Sequence, residues 1–282
     1  MFSRVTTGLL TALVVAGAVT VTKGQSGTSQ ILPLEPLKER GRGVTGAFEG
    51  WYKNPDGTFT MLVGYFNRNS RETIEIPVGQ NNRIEPGQAD QGQPTTFVPR
   101  RQWGVFTVVV PADFGTKRLT WTLVANGETT VIPFTLHPSY EVAPFKDPAT
   151  GNEPPVLRFE QEGPAFQGPP RVLSATVSAR AGEATPVTFW ASDDGVGRQG
   201  GGRGQSAPVT VSLSKHRGPG TVAFANARPT VQGGQVSTTA TFSAPGEYVI
   251  RVQGNDSTGD GGGGFQCCWT NAHVKVLVRA GE

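Results

Sequence analysis

"QVSTTATFSAPGEYVIRVQGND", residues 235–256, is two runs of alternating apolar and polar side chains around a turn marked Ala-Pro-Gly. A period of two belongs to strands, because successive side chains of an extended chain point to opposite faces. The stretch therefore predicts two consecutive strands, with Tyr248 at the start of the second. The same pattern recurs outward in both directions, bounded each time by Gly, Pro, Asn or Asp. No stretch of a dozen residues carries the three-and-four apolar spacing of a helix. With 38 glycines and 22 prolines in 282 residues, the composition also favours turns over helices. The chain is expected to be all-β.

Toward the C-terminus, "LSATVSARAGEATPVTFWASDDG" predicts two strands around Gly182-Glu183, "APVTVSLSKHRGPG" a third and "TVAFANA" a short fourth. The opening stretch supplies the fifth and sixth, and "NAHVKVLVRA" closes as a seventh. Toward the N-terminus, Asn54-Pro55-Asp56-Gly57 and Asn126-Gly127 sit between alternating flanks and predict hairpins. Phe59, Met61, Val63 and Tyr65 share one face of one strand there; Leu119, Trp121 and Leu123 share one face of another. "ETIEIPV" and "WGVFTVVVP" complete a set of about seven strands, with residues 79–95 expected to be a long polar loop.

The organisation that follows is two β-sandwich domains in tandem. Residues 1–24 are expected to be a signal peptide, 25–43 a flexible leader, 44–137 the first sandwich and 171–282 the second. Residues 138–170, with eight prolines and no periodicity, are expected to be a stiff linker. Val156, Leu157 and Phe159 call for burial, so this segment is also a candidate edge along one domain. The first 24 residues combine Arg4, an uncharged run from Val5 to Thr22 and small residues near Ala18 and Gly24, the pattern of cleaved export signals. Their removal takes Arg4 and Lys23 and no acid, so the formal net charge falls from +3 to +1. Basic residues are scattered, and the Lys38, Arg40, Arg42 triplet lies in the leader, so nothing points to nucleic acid. No later segment is long and apolar enough to span a membrane.

"VTFWASDDG", "GPGTVAF" and "APGEYVIRVQGNDSTGDG" resemble segments of PKD-like and related bacterial immunoglobulin-like domains, over residues 172–279. The resemblance implies a seven-strand sandwich in which Tyr248 forms a tyrosine corner, its hydroxyl bonding back to nearby backbone. Such domains serve as spacers, adhesion modules or enzyme appendages. The first domain, through "GYFNRN", "DQGQPTTFVPRR" and "TWTLVANG", is similar to exported bacterial proteins, and no site residue is carried over from that likeness.

In a sandwich of this order, the loops after the second and sixth strands emerge at one end. Here they are the glycine-rich stretches 192–208 and 255–271. That tip gathers Asp193, Asp194, Asp256 and Asp260 with Arg198, Arg203, Phe265 and Trp269. Phe265 and Trp269 either anchor a partner, with Arg198 and Arg203 beside them, or pack onto the sandwich end; burial separates the two readings. The only two cysteines, Cys267 and Cys268, are adjacent. A ring between them is the favoured expectation for an oxidising compartment, with free thiols and bonds to a second chain as alternatives. A redox site is disfavoured, since that chemistry usually spaces its cysteines as C-x-x-C.

Asp256, Thr258 and Asp260 partly fit the first positions of a calcium loop, and Asp193 and Asp194 are candidate oxygens from across the tip. Position twelve of that loop is Cys267, which cannot serve, so solvated turn carboxylates are the preferred reading and no cofactor is expected. His137, His216 and His273 lack metal spacing, and no serine lies in G-x-S-x-G. Trp51, Tyr52, Tyr65, Phe66, Trp103 and Trp121 are core on the preferred reading and a sugar platform on the alternative. Asp90, Arg100, Arg101 and His137 are the residues a hydrolase site in the first domain would use. The function expected is a non-catalytic binding or structural module outside the cytoplasm, with a protein or glycan partner. The alternative is a carbohydrate-binding or accessory subunit of a secreted enzyme complex.

Overall fold

The computed structural model describes residues 38–196, 209–256 and 267–281, and the expected signal peptide and most of the leader lie outside them. The described chain is all-β; its one helical turn there is the 3-10 segment Pro138–Tyr140, and no helix among the described residues is long and apolar enough to cross a membrane.

Eight strands form the first sandwich: β1 (Val44–Lys53), β2 (Phe59–Asn67), β3 (Ile74–Glu75), β4 (Asn82–Glu85), β5 (Thr96–Phe97), β6 (Arg100–Val110), β7 (Leu119–Ala125) and β8 (Glu128–Phe134). They make sheets β1-β2-β6 and β4-β7-β8 and a short β3-β5 pair. The predicted turns do the joining. Gly57, at φ 86°, donates its N–H to Asn54 O at 3.0 Å between β1 and β2. Asn126 and Gly127, at φ 49° and 77°, form the two-residue loop between β7 and β8. Trp121, Phe106, Phe97 and Tyr65 stack edge-on or tilted through the middle of the core.

The expected polar loop 79–95 is corrected in part, because it contains β4. Ile84 is its only large apolar inward residue, so hydropathy alone did not reveal a strand. Its other inward residue, Asn82, is fully buried. The Asn82 amide donates to Ile76 O and Pro94 O at 2.9 and 2.7 Å, and its oxygen accepts from Trp121 Nε1 at 2.9 Å. A buried amide with all these partners replaces the hydrophobic residue that the pattern would have shown.

The second sandwich contains β9 (Val156–Arg158), β10 (Leu173–Arg180), β11 (Ala184–Ser192), β12 (Thr210–Arg217), β13 (Val222–Phe224), β14 (Gln235–Phe242), β15 (Gly246–Asn255) and β16 (Trp269–Arg279). One sheet runs β10-β16-β15-β12, with β10 parallel to β16; the other runs β13-β14-β11-β9. The proline-rich segment 138–170 thus contributes a strand: Val156–Arg158 pair antiparallel with Trp190–Ser192, and Leu157 is fully buried. Tyr248 closes the expected corner, its buried hydroxyl donating to Ala244 O at 2.9 Å.

The two sandwiches pack together, and the described residues from Lys38 onward form one compact unit. Tyr248, Ile250 and Val252 of β15 face the core of the second sandwich. Val249, Arg251 and Gln253, on the opposite face, are buried as well, Arg251 to 3% exposure. What covers them is the first sandwich. Arg251 donates to Gln102 Oε1, Asn271 Nδ2 to the carbonyls of Trp103 and Gly104 at 3.0 Å each, and His273 Nε2 to Val105 O at 3.0 Å. His216 Nε2 donates to Gly92 O at 3.0 Å, and its ring lies 4.3 Å from that of His273. Arg217–Asp90 and Lys215–Glu75 ion pairs, at 2.8 and 2.9 Å, finish the seam.

A candidate binding cleft at the junction of the sandwiches

Where the seam opens, a cleft of about 670 Å³ remains between the start of β6, the upper ends of β12 and β15, and the segment Arg228–Val231. Its cationic wall is Arg100, Arg101 and Arg228. Arg100 sits at φ 71°, a region that a side chain with a Cβ occupies at a cost of about 1–3 kcal/mol. The strand must turn there to leave Pro99, and the exposed Arg100 side chain is carried to the cleft. Neither Arg100 nor Arg228 makes an ion pair among the described residues.

Arg101 is held differently. Its Nη2 donates to Glu49 Oε1 at 2.6 Å, and its Nη1 donates to Tyr65 O and Gln102 O at 3.1 and 2.7 Å. The guanidinium also lies 3.8 Å above the Trp103 ring, a cation–π contact that fixes its plane. Glu49 is buried behind it, its second oxygen accepting from Gly104 N at 2.7 Å. Burial pushes the Glu49 carboxyl up to about 7, against the opposing pull of Arg101, the Gly104 amide and Arg251. The Arg101 side chain keeps 26% of its surface exposed to solvent. Gln102, Gln253 and Asn255 add amides to the walls, and Thr210, Ser212 and Thr230 add hydroxyls. Arg228, Gln253 and Asn255 carried no local motif: only the approach of β6 to β12 and β15 makes them neighbours.

Trp269 is not a surface anchor. It is 1% exposed, because its ring packs against Gly104 of the first sandwich. Cys267 and Cys268 are joined to each other, and both sulfurs lie beside Asn152 O in the proline-rich segment. Asp256, 4% exposed, accepts from Asn152 Nδ2 at 2.5 Å. Asp193 and Asp194 instead accept from the backbone amides of Gly195 and Val196 at 3.0 and 2.9 Å, as short turn motifs do. The Asp193 carboxyl is raised by burial and by the charges of Asp256 and Asp194. Among the described residues no group of three or more His, Cys, Asp and Glu is arranged to hold a metal ion. Phe265, Arg198, Arg203 and Asp260 lie outside the described residues.

Of the aromatic set, Trp51, Tyr52, Tyr65 and Trp121 are buried, while Phe66 and Trp103 are half-buried and Trp103 lines the cleft. The residues considered for a hydrolase do not converge. Arg100 and Arg101 line the cleft, but Asp90 pairs with Arg217, and the exposed His137 accepts from Ser139 N at 3.2 Å on its own turn.

No family model matches this chain, and no curated protein matches it. Among solved structures it is similar to domains 4 and 5 of the S-layer protein SbsC, at 17% identity over 62% of this chain and 70% of that one, TM-score 0.24. It is also similar to the D00-D0 domain of intimin, at 12% identity over 84% and 99%, TM-score 0.27. The titin domains z1z2 in complex with telethonin match at 10% identity over 86% and 98%, TM-score 0.26. At such scores none of them lends a residue role to this chain.

Proposed function

We propose that this protein is a non-catalytic, extracytoplasmic binding module, in which two sandwiches are held together so that the cleft at their junction receives a ligand. The observation that carries this reading is the cationic wall: Arg100 and Arg228 without ion partners among the described residues, and Arg101 preset by Glu49 and Trp103. Most arginines at a domain seam are consumed by it, as Arg251 and Arg217 are here. Groups held in place before binding lose less freedom on binding, which is how a modest cleft gains affinity. The apolar start of the sequence supports delivery across a membrane.

The test uses the mature chain on a printed panel of glycans and peptides, alongside a Trp103→Ala, Arg228→Ala variant whose unfolding midpoint is checked first. A panel member bound by the native protein and lost from the folded variant is the expected result. Binding that ignores the variant, or no binding to any member, overturns the reading. Export has its own check: the mature N-terminus should fall between Val19 and Ser26, and a native protein that begins at Met1 overturns cleavage.

A further inference from the structure

The chemistry of the cleft walls says what kind of ligand fits, given that the cleft binds one. We infer that its occupant is an anionic saccharide, whose carboxylate or sulfate groups meet Arg100, Arg101 and Arg228 while its hydroxyls meet the Asn255 amide and the hydroxyls of Thr210, Ser212 and Thr230.

Charge is the first reason. Among the described residues the lining carries three guanidinium groups and one carboxylate, Asp256, which Asn152 already binds; Glu49 behind the wall pairs with Arg101 and leaves Arg100 and Arg228. Guanidinium groups present paired N–H donors that match the two oxygens of a carboxylate or sulfate, and such charge-assisted pairs are the strong ones. Volume is the second. About 670 Å³ lies within the usual range of small-ligand clefts and leaves room for a few sugar rings, but not for a folded partner.

The remaining lining separates sugar from peptide. Of the apolar residues among the walls, Val209, Val211 and Pro229 are buried, while Pro99 and Val231 are half-buried. Most of the remaining accessible lining is polar: Thr210, Ser212, Thr230 and Asn255, beside the half-buried Trp103, offer hydroxyls, an amide and a ring face suited to a sugar. Nucleic acid is the poorer fit, because the formal charge is near zero once the first 24 residues are removed and no backbone-tracking stripe of Lys and Arg runs through the described residues.

Titration calorimetry on the mature chain tests this with four probes: oligogalacturonate, a chondroitin sulfate oligosaccharide, a neutral cello-oligosaccharide of equal length, and oligoglutamate. The expected result is binding of one or both charged saccharides, weakening with added salt, and roughly tenfold or more weaker in Arg100→Ala, Arg228→Ala. Which charged probe binds separates carboxylate from sulfate. Both arginines are exposed and unpaired among the described residues, so the double variant should keep its unfolding midpoint. A neutral chain held as tightly as the charged ones overturns the inference and leaves the binding-cleft reading standing. Oligoglutamate held as tightly overturns the saccharide class, and failure of both charged saccharides overturns the inference outright. Charged-saccharide binding that ignores the double variant overturns this inference and the cleft reading together.

Discussion

The ring of Trp269, in the second sandwich, occupies the space where a side chain on Gly104, in the first, would have to go. Gly104 sits at φ 51°, and its N–H is held by Glu49. Glycine is required there twice over, by its backbone conformation and by the close approach of the indole. Gly104→Ala is expected to cost about 2–4 kcal/mol, from the strained φ together with overpacking of a buried ring. Denaturant unfolding measures it. In a Trp269→Ala background the overpacking part should vanish and the strain at φ 51° remain, so the same change should cost less; equal costs in both backgrounds would show that the two residues do not meet.

Acid should loosen the seam. Burial holds His273 down to about 4 and His216 well below its ordinary 6.5, with the neighbouring charge of Arg251 adding to both. As pH falls below 6.5, the unfolded chain takes up two protons that the native histidines refuse, so stability drops. Glu49 opposes this: its native carboxyl takes a proton near pH 7, whereas the unfolded one waits until about 4.5. Between pH 6.5 and 4.5 the native state is therefore short by one net proton, a loss of about 1.4 kcal/mol per pH unit. Glu49→Gln removes the opposing group, and its loss with acid should be about twice as steep. Urea unfolding from pH 7.5 to 4.5 reads both slopes, and stability that climbs on acidification in the native protein contradicts the assignment.

The cysteine pair gives a chemical readout. Denatured, unreduced protein is expected to carry no thiol that alkylates, and its mass should be two hydrogens below that of the reduced chain. Because both sulfurs are buried beside Asn152, reductant should reach them slowly in the folded protein and quickly after unfolding. A bridge between neighbours closes a very short loop, so replacing both cysteines by serine should remove only about 1 kcal/mol of cross-link stabilisation. Alkylation of both sulfurs without reductant would count decisively against the ring.

Asn82 tests the polar side of the first core. Asn82→Leu keeps the volume but leaves the carbonyls of Ile76 and Pro94 and the Trp121 N–H without partners. An unsatisfied buried group costs about 1–3 kcal/mol, so a loss of at least 3 kcal/mol is expected by chemical unfolding. A neutral outcome would mean that water reaches these groups.

The sequence by itself determined most of the strands and most of the turns. Period-two alternation depends only on neighbouring residues, and Asn126-Gly127 or Asn54-Pro55-Asp56-Gly57 makes a turn whatever surrounds it. The corner at Tyr248 was legible for the same reason, since its bond spans four residues. Only the tertiary structure decided what covers each face. Alternation reveals that Arg251 and Gln253 share a side of β15, but a polar face looks solvent-exposed until a partner is known. Here the partners of Arg251 and Asn271 lie 149 to 168 residues away. Val156 and Leu157 were legible as a candidate edge, but which strand they pair with was not, and β4 lay hidden because its inward residue is a buried asparagine. Distance in sequence hid the cleft too: Arg100 and Arg101 are adjacent in the chain, but Arg228, Gln253 and Asn255 join them only because two independently patterned sandwiches bury their polar faces against each other.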